Sequence, residues 1–367
     1  MEKCYYIGVM SGTSADGIDI ALVDFSTGVT LLASDYYPYQ EFLYQEVTSL
    51  YQPNNNELDR AGELSVKLAH AYASAIELFL KKHAIDKAQV IAIGNHGQTV
   101  RHRPDSQHAF TLQLGCNQTL AALTNMRVVG DFRTRDIAYG GQGAPLVPAF
   151  HRALLGNTKK DTFLINIGGI ANITYLPHQQ GESVLGFDTG PGNCLMDAWC
   201  YQHTGKRFDA NGQWASRGQV DETMLNFMLE DNYFKQALPK STGREYFNKD
   251  WLEHYLTDPN LSAESVQATL LALTATTIAD AVNKLSTSAD VYITGGGKLN
   301  QLLVDTIKRL MPSHQFSEIE ALSVNNDAFE AMAFAWLAYA YDKKIYSNIP
   351  AVTGASKECT LGIEYNP

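Results

Sequence analysis

Cysteine is scarce in this chain and carries no pattern. Cys4, Cys116, Cys194, Cys200 and Cys359 are odd in number and include no CxxC pair, so neither a disulfide framework nor a zinc site is implied. Positive charge is also in deficit: 28 lysines and arginines face 39 acidic residues, for a net charge of −11. A nucleic-acid partner or an anionic membrane surface would require a dominant basic field, so neither is expected. No apolar run approaches the roughly 20 residues of a membrane span. The opening MEKCYYIGVMSGTS reaches polar turn residues too early for the apolar region of a signal peptide. A cytoplasmic protein is expected. Also missing are a GxxxxGK(S/T) phosphate loop and a GxGxxG fingerprint after a strand, which makes the usual mononucleotide and dinucleotide folds poor fits.

What is present points to a folded protein of more than one core. The chain has 367 residues, 45% of them apolar and 18% charged, which sets two domains as the default. Strand, polar turn and strand follow one another in IGVMSGTSADGIDIALVD, ending at Asp24. Val29 to Tyr37 reads as a further strand, and Glu57 to His83 as an amphipathic helix with Leu64, Leu68, Ala71, Ala75, Leu78 and Phe79 on its apolar side. VIAIGN (Val90 to Asn95) is a buried-strand run leading into HGQTVRHRP, and this order suits an α/β domain with its ligand at the strand tips. Gly130 to His151 is dense in Arg, Gly and Pro and reads as an ordered loop or hinge. Helices are expected over Asn193 to His203, Ser262 to Leu285 and Asp327 to Tyr341. Val291 to Leu303 reads as strand, triple-glycine turn and helix start. No low-complexity linker occurs, so a hinge is expected in place of a tether.

The turn Gly12 to Asp19 combines small residues with hydroxyls and carboxylates. Such a turn brings backbone N–H groups close to an anion, and Asp16 or Asp19 could organise a hydrated Mg²⁺ among phosphate oxygens. The design recurs in FLINIGGIANITYL (Phe163 to Leu176), followed by FDTGPGN. One such turn alone is better read as a plain hairpin. Two of them, with ITGGGK and its Gly295, Gly296 and Gly297, favour two related lobes around a phosphate ligand. Asp188 is the candidate general base, with helix capping as the alternative. His96, His102 and His108 recur every six residues, but Pro104 interrupts them and no metal site is expected. Thr99 is a candidate ligand hydroxyl. Arg133 and Arg135 flank Thr134 and share a face of an extended backbone, fit to grip a carboxylate or phosphate or to form ion pairs. Glu330 opens an apolar helix, where an acid also favours the helix dipole.

Taken together, GVMSGTSADGID, HGQTV, GDFRTRDIAYGGQGAPLVPAFH, NIGGIANIT, GFDTGPGNCLMDAW, KSTGREYFN, TGGGKLN, AFEAMAFAWLA and VTGAS resemble the anhydro-N-acetylmuramic acid kinase family over nearly the whole chain. The resemblance implies the two-lobed actin-like ATPase fold, α/β in class and shared by sugar kinases, actin and heat-shock chaperones, with an ATP cleft. Residues 1–131 plus 345–367 would form the first lobe and 132–344 the second, with helical insertions. It further implies ATP and Mg²⁺ as cofactors, an anhydro-sugar substrate and a homodimer. Asp188 would be the catalytic base. Gly12, Thr13, Ser14, Ala15, Asp16, Gly17, Ile18 and Asp19 would bind ATP. Asn166, Gly168, Gly169, Asn172, Gly295, Gly296 and Gly297 are the further nucleotide candidates, and Thr99, Arg135 and Glu330 would contact the sugar. Thr134, Cys116, Lys298 and Leu299 depart from the family pattern.

Overall fold

Alternating and β-branched runs form twelve strands in the computed structural model of the chain, which describes residues 4–12, 14–155, 159–179, 182–318 and 328–367. They are β1 (Tyr5–Ser11), β2 (Gly17–Asp24), β3 (Thr30–Pro38), β4 (Val90–Arg103), β5 (Phe110–Leu114), β6 (Val128–Gly130), β7 (Asp161–Ile167), β8 (Ile170–Leu176), β9 (Leu185–Pro191), β10 (Ala289–Thr294), β11 (Gln315–Ser317) and β12 (Ile363–Tyr365). The helices are α1 (Glu41–Thr48), α2 (Glu57–Lys82), α3 (Asn117–Thr124), α4 (Thr134–Ala138), α5 (Val147–Leu155), α6 (Cys194–Thr204), α7 (Glu222–Leu229), α8 (Lys249–Tyr255), α9 (Ala263–Leu285), α10 (Gln301–Leu310), α11 (Phe329–Asp342) and α12 (Pro350–Thr353).

Two sheets result, and they repeat one topology. In the first the order is β12-β6-β4-β1-β2-β3, with β5 added to β4; in the second it is β11-β10-β7-β8-β9. The first three strands of each form an antiparallel meander, β1-β2-β3 and β7-β8-β9. A parallel strand then adds to the leading edge, β4 on β1 and β10 on β7, and another follows outside it, β6 and β11. The two related lobes expected from the paired glycine turns are therefore present as two copies of one strand order.

Contacts divide the chain into two compact units, residues 1–154 with 323–367 and residues 155–322. The sequence-based limits, 131/132 and 344/345, differ because α11 lies on β1, β2 and β4 of the first unit. A Cβ on Gly8 or Gly94 would overlap the α11 backbone at Ala331 O or Phe334 O, so glycine permits this approach. Helix α5 joins the same unit, with Phe150 against Phe329 and Trp336. Each unit has its own core. Leu68, Tyr72 and Phe79 of α2 are fully buried in the first, and Phe163, Leu273 and Ile278 in the second. Burying a side chain of this size contributes about 1.5–3 kcal/mol relative to leaving it exposed.

Two sequence expectations need correction. The span Gly130 to His151 is not a loop throughout: it contains α4 and most of α5. Helix α9 is long and apolar enough by composition to cross a membrane, contrary to the reading that no such run exists. It lies 78% buried within the protein core over its most apolar stretch, which accounts for its composition. The expected helix start at Asp327 falls outside the described residues.

Candidate active site

The turn between β1 and β2 is braced from below by strand β4. Ala15 N–H closes the turn onto Gly12 O at 3.1 Å, and Ala15 takes φ +52°. Gln98 donates from Nε2 to Gly12 O at 3.0 Å, and the Ser11 hydroxyl lies 2.6 Å from Gln98 Oε1 and 2.8 Å from Gly17 O. Ser14 Oγ donates to Asp16 Oδ1 at 2.7 Å. Ala15 and Ile18 point into the core, so their ligand contacts are restricted to backbone. A Cβ on Gly12 meets nothing nearer than Ser14 Oγ at 3.7 Å; packing does not explain that glycine. Asp16 and Asp19 both act on the Tyr36 hydroxyl, whose pKa is raised by burial and then by the two carboxylates. Thr13 lies outside the described residues.

Beyond Gln98, β4 continues through Arg103 because β5 pairs with it. Thr99 accepts from Gln113 Nε2 at 3.1 Å across that pair. His96 is buried, and its Nε2 accepts from Arg133 Nε at 3.1 Å and Nη2 at 2.9 Å. Burial, with Arg133 second, holds the His96 pKa well below its ordinary value, so the ring is neutral and its Nε2 lone pair faces the Arg133 guanidinium. Arg133 also donates to Gly143 O at 2.7 Å. Its pKa is lowered to about 10 by burial and supported by Glu330, which carries the opposing charge. Glu330 keeps solvent access in the first turn of α11; surrounding protein raises its pKa and Arg133 opposes that shift.

The extended reading of residues 133–135 fails here. Thr134–Ala138 is helical, so residues two apart point in nearly opposite directions. Arg135 donates instead to Thr360 O at 2.5 Å and is exposed. Arg133, not Arg135, stands near Glu330. Asp136 fixes the following glycine-rich loop by accepting from Gly143 N–H, Asn348 and Thr353, each at 2.8 Å.

In the second unit the sheet register aligns four polar residues. Thr294 of β10 pairs with Asn166 of β7, Asn166 with Asn172 of β8, and Asn172 with Asp188 of β9. Directly paired residues project from the same face, so these side chains form a lateral row. Asn166, Asn172 and Asp188 are each half-buried between buried neighbours. The Asp188 carboxylate accepts from Thr242 N–H at 2.9 Å, and its backbone is held by Lys240 O and the Tyr233 hydroxyl. Burial raises its pKa to about 6; Glu245 adds to the rise and the Thr242 bond opposes it. Asp188 is within β9 and does not cap α6, which removes the capping alternative.

The Gly168–Gly169 turn is tied to the start of α6 through Gly192 N–H, Asn193 N–H and Cys194 N–H. The Arg244 guanidinium occupies the place where a Cβ on Gly169 would stand. Within the triple glycine, Gly295 adopts φ +81°, and a Cβ on Gly297 would overlap Ile167. Only Gly296 faces open space, with Asn193 Nδ2 at 4.0 Å as its nearest contact. Gly296 opens on a cavity of about 390 Å³ lined also by Asn193, Asp197, Phe208 and Gln267. Gln267 is buried, and among the described residues its Oε1 has no hydrogen-bond partner. Burial raises the Asp197 pKa to about 6, and Arg244 opposes the rise.

Sequence reasoning missed Gln98, Arg244, Gln267 and the cavity role of Asp197. Gln98 and Arg244 stand inside motifs already noted, HGQTV and KSTGREYFN. Gln267 had no sequence signal beyond being a polar residue in an apolar helix. Among the described residues, no group of three or more His, Cys, Asp or Glu is placed to hold a metal ion.

A family model described as anhydro-N-acetylmuramic acid kinase matches residues 4–367. Proteins of that name are similar over full length. The one from Colwellia psychrerythraea is 51% identical, covering 100% of this chain and 98% of that protein. The Saccharophagus degradans protein is 47% identical with full coverage of both, and that from Shewanella loihica is 46% identical, covering 99% and 98%. Among solved structures, an activator of 2-hydroxyisocaproyl-CoA dehydratase from Clostridium difficile with bound ADPNP aligns over 92% of this chain and 95% of its own. Its TM-score is 0.45 and its identity 12%.

Proposed function

Because the chain belongs to the anhydro-N-acetylmuramic acid kinase family, and so is a phosphotransferase with an alcohol acceptor, we propose that it couples hydrolytic ring opening to phosphorylation. The substrates are 1,6-anhydro-N-acetylmuramic acid, ATP and water; the products are N-acetylmuramic acid 6-phosphate, ADP and a proton. Asp188 takes a proton from the water that attacks the anomeric carbon. The bond from that carbon to the bridging oxygen breaks, and the freed oxygen at carbon six accepts the γ-phosphoryl group. The observation that carries this reading is the Asp188 carboxylate, half-buried, fixed by Thr242 N–H and raised to about 6. A base is most effective when its pKa lies near the working pH.

The β1–β2 turn, Gly12 to Asp19, is the phosphate-binding element of the first unit, and the repeated strand order supports the actin-like ATPase architecture. Asn166, Asn172, Gly168 and Gly169 are its counterparts in the second unit, with Arg244 as a further cation for phosphate oxygens. The 390 Å³ cavity at Gly296 suits an adenosine moiety: the unpartnered Gln267 Oε1 fits an amino donor, and the Asp197 carboxylate fits ribose hydroxyls. Mg²⁺ shared with nucleotide phosphates needs only one or two protein carboxylates, and Asp16 with Asp19 would supply them. When bound, the ion neutralises phosphate charge. Thr99 and Glu330 are sugar contacts. Arg133 takes the sugar contact expected of Arg135 and would pair with the lactyl carboxylate of the muramic acid, because its guanidinium is held by His96 and Gly143 beside Glu330. Family membership supports a cytoplasmic homodimer acting in peptidoglycan recycling and amino-sugar catabolism.

Running the reaction in ¹⁸O-water tests the coupling. Label is expected at the anomeric hydroxyl of the phosphorylated product. Phosphorylated sugar without label there would indicate ordinary transfer to a free hydroxyl and would end the proposal.

A further inference from the structure

A second, larger opening lies in the first unit at the C-terminal end of α11, with a volume of about 620 Å³. Three cations line it: Arg135 from α4, Lys344 just after α11, and Lys357 from the segment following α12. Three tyrosines stand among them, Tyr139, Tyr341 and Tyr346. Lys357 Nζ lies 4.2 Å from the centre of the Tyr139 ring and Lys344 Nζ 4.6 Å from that of Tyr341. Among the described residues none of the three cations forms an ion pair. The acid that Lys344 does influence, Asp342, is already bonded by Arg127 and Tyr6. Glu358 is the one carboxylate on the rim and is exposed. Burial and then Asp136 push up the thiol pKa of Cys359, another lining residue, and Arg135 and Lys357 both oppose that rise, so the two cations lie near one point.

This grouping is unusual for a chain with net charge −11. Three cations with Glu358 as the one lining carboxylate leave an excess of like charge that repels itself, and a bound anion reduces that repulsion. The opening is distinct from the Glu330 region. Glu330 and Tyr341 are eleven residues apart on one helix, or about 16 Å along its axis at 1.5 Å per residue.

We propose that the opening is a second ligand site, for a monosaccharide carrying a phosphate group. The phosphate would meet Arg135, Lys344 and Lys357, and the sugar ring would lie against the tyrosine faces. The volume is in the range of small-ligand sites and exceeds what an inorganic ion fills. Three cations around one opening are too few and too local for a nucleic-acid track.

Calorimetric titration of the full chain with glucose 6-phosphate, glucose and inorganic phosphate tests this, with saturating anhydro-sugar and a non-hydrolysable ATP analogue present throughout. One glucose 6-phosphate per chain is expected to bind, more tightly than either glucose or phosphate alone. Binding should weaken at least about tenfold in the double variant Lys344→Gln, Lys357→Gln, whose exposed positions leave the fold and kinase turnover unchanged. Absence of binding, or binding equal in the variant, overturns the site. Inorganic phosphate binding as tightly as the sugar phosphate overturns the ligand class. Kinase turnover of the same protein preparations, measured separately with ATP in place of the analogue, keeps this outcome separate from the reading of Asp188.

Discussion

At the scale of single residues, the working chemistry is set by environment more than by residue type. Asp188 and Asp197 are both raised to about 6 by burial, yet only Asp188 stands in the polar row with Asn166 and Asn172. Since the base must be ionised, kcat/KM is expected to fall with unit slope as pH drops through about 6. Glu245 raises the Asp188 pKa, so Glu245→Gln should move that midpoint to lower pH; an unmoved or higher midpoint would contradict the assignment. Stability runs the other way. A carboxyl whose folded pKa exceeds its unfolded value favours folding when protonated, and that benefit is lost as pH rises from about 4 to about 6. Asp188→Asn should therefore lose about 10²–10⁴ in turnover while unfolding at a higher temperature than the parent at pH 7. The sequence offered Asp188 through its place between a strand run and a glycine turn. It could not separate Arg133 from Arg135, because that depends on whether residues 134–138 coil, and five residues show no periodicity.

At the scale of elements, two glycine classes separate packing from ligand access. Gly8 and Gly94 sit where α11 presses onto β1 and β4, while Gly12 faces open space. Gly8→Val is expected to destabilise by about 3 kcal/mol or more, since overpacking against a fixed helix backbone cannot be relieved by rotating a side chain. Gly12→Val should leave the urea midpoint of the ligand-free protein unchanged and weaken ATP binding at least about tenfold, by filling the phosphate approach. Equal effects of the two substitutions on stability would refute the distinction. Long helices were legible beforehand: the apolar spacing of α2, α9 and α11 follows from one face or the whole surface being buried. The extension of β4 through HGQT was not, since it is imposed by β5 across a hairpin and not by local pattern.

For the whole molecule, the chain path makes the two units unequal in independence. Residues 155–322 form one uninterrupted segment whose strands β7 to β11, among the described residues, pair only with one another. The first unit is assembled from both ends of the chain, with β12 completing its edge beside β6 and α11 covering β1, β2 and β4. Paired glycine turns made the duplication visible in the sequence, but not this return of the C-terminal segment, because no composition shift or linker marks it. Residues 155–322 expressed alone are therefore expected to show native-like far-UV circular dichroism and a single cooperative urea transition. Residues 1–154 alone should not, since the surface of β1, β2 and β4 that α11 buries would be left to solvent; adding residues 323–367 in trans should restore cooperativity. A non-cooperative 155–322 fragment, or a fully cooperative 1–154 fragment, would show that the cores are not built as separate units.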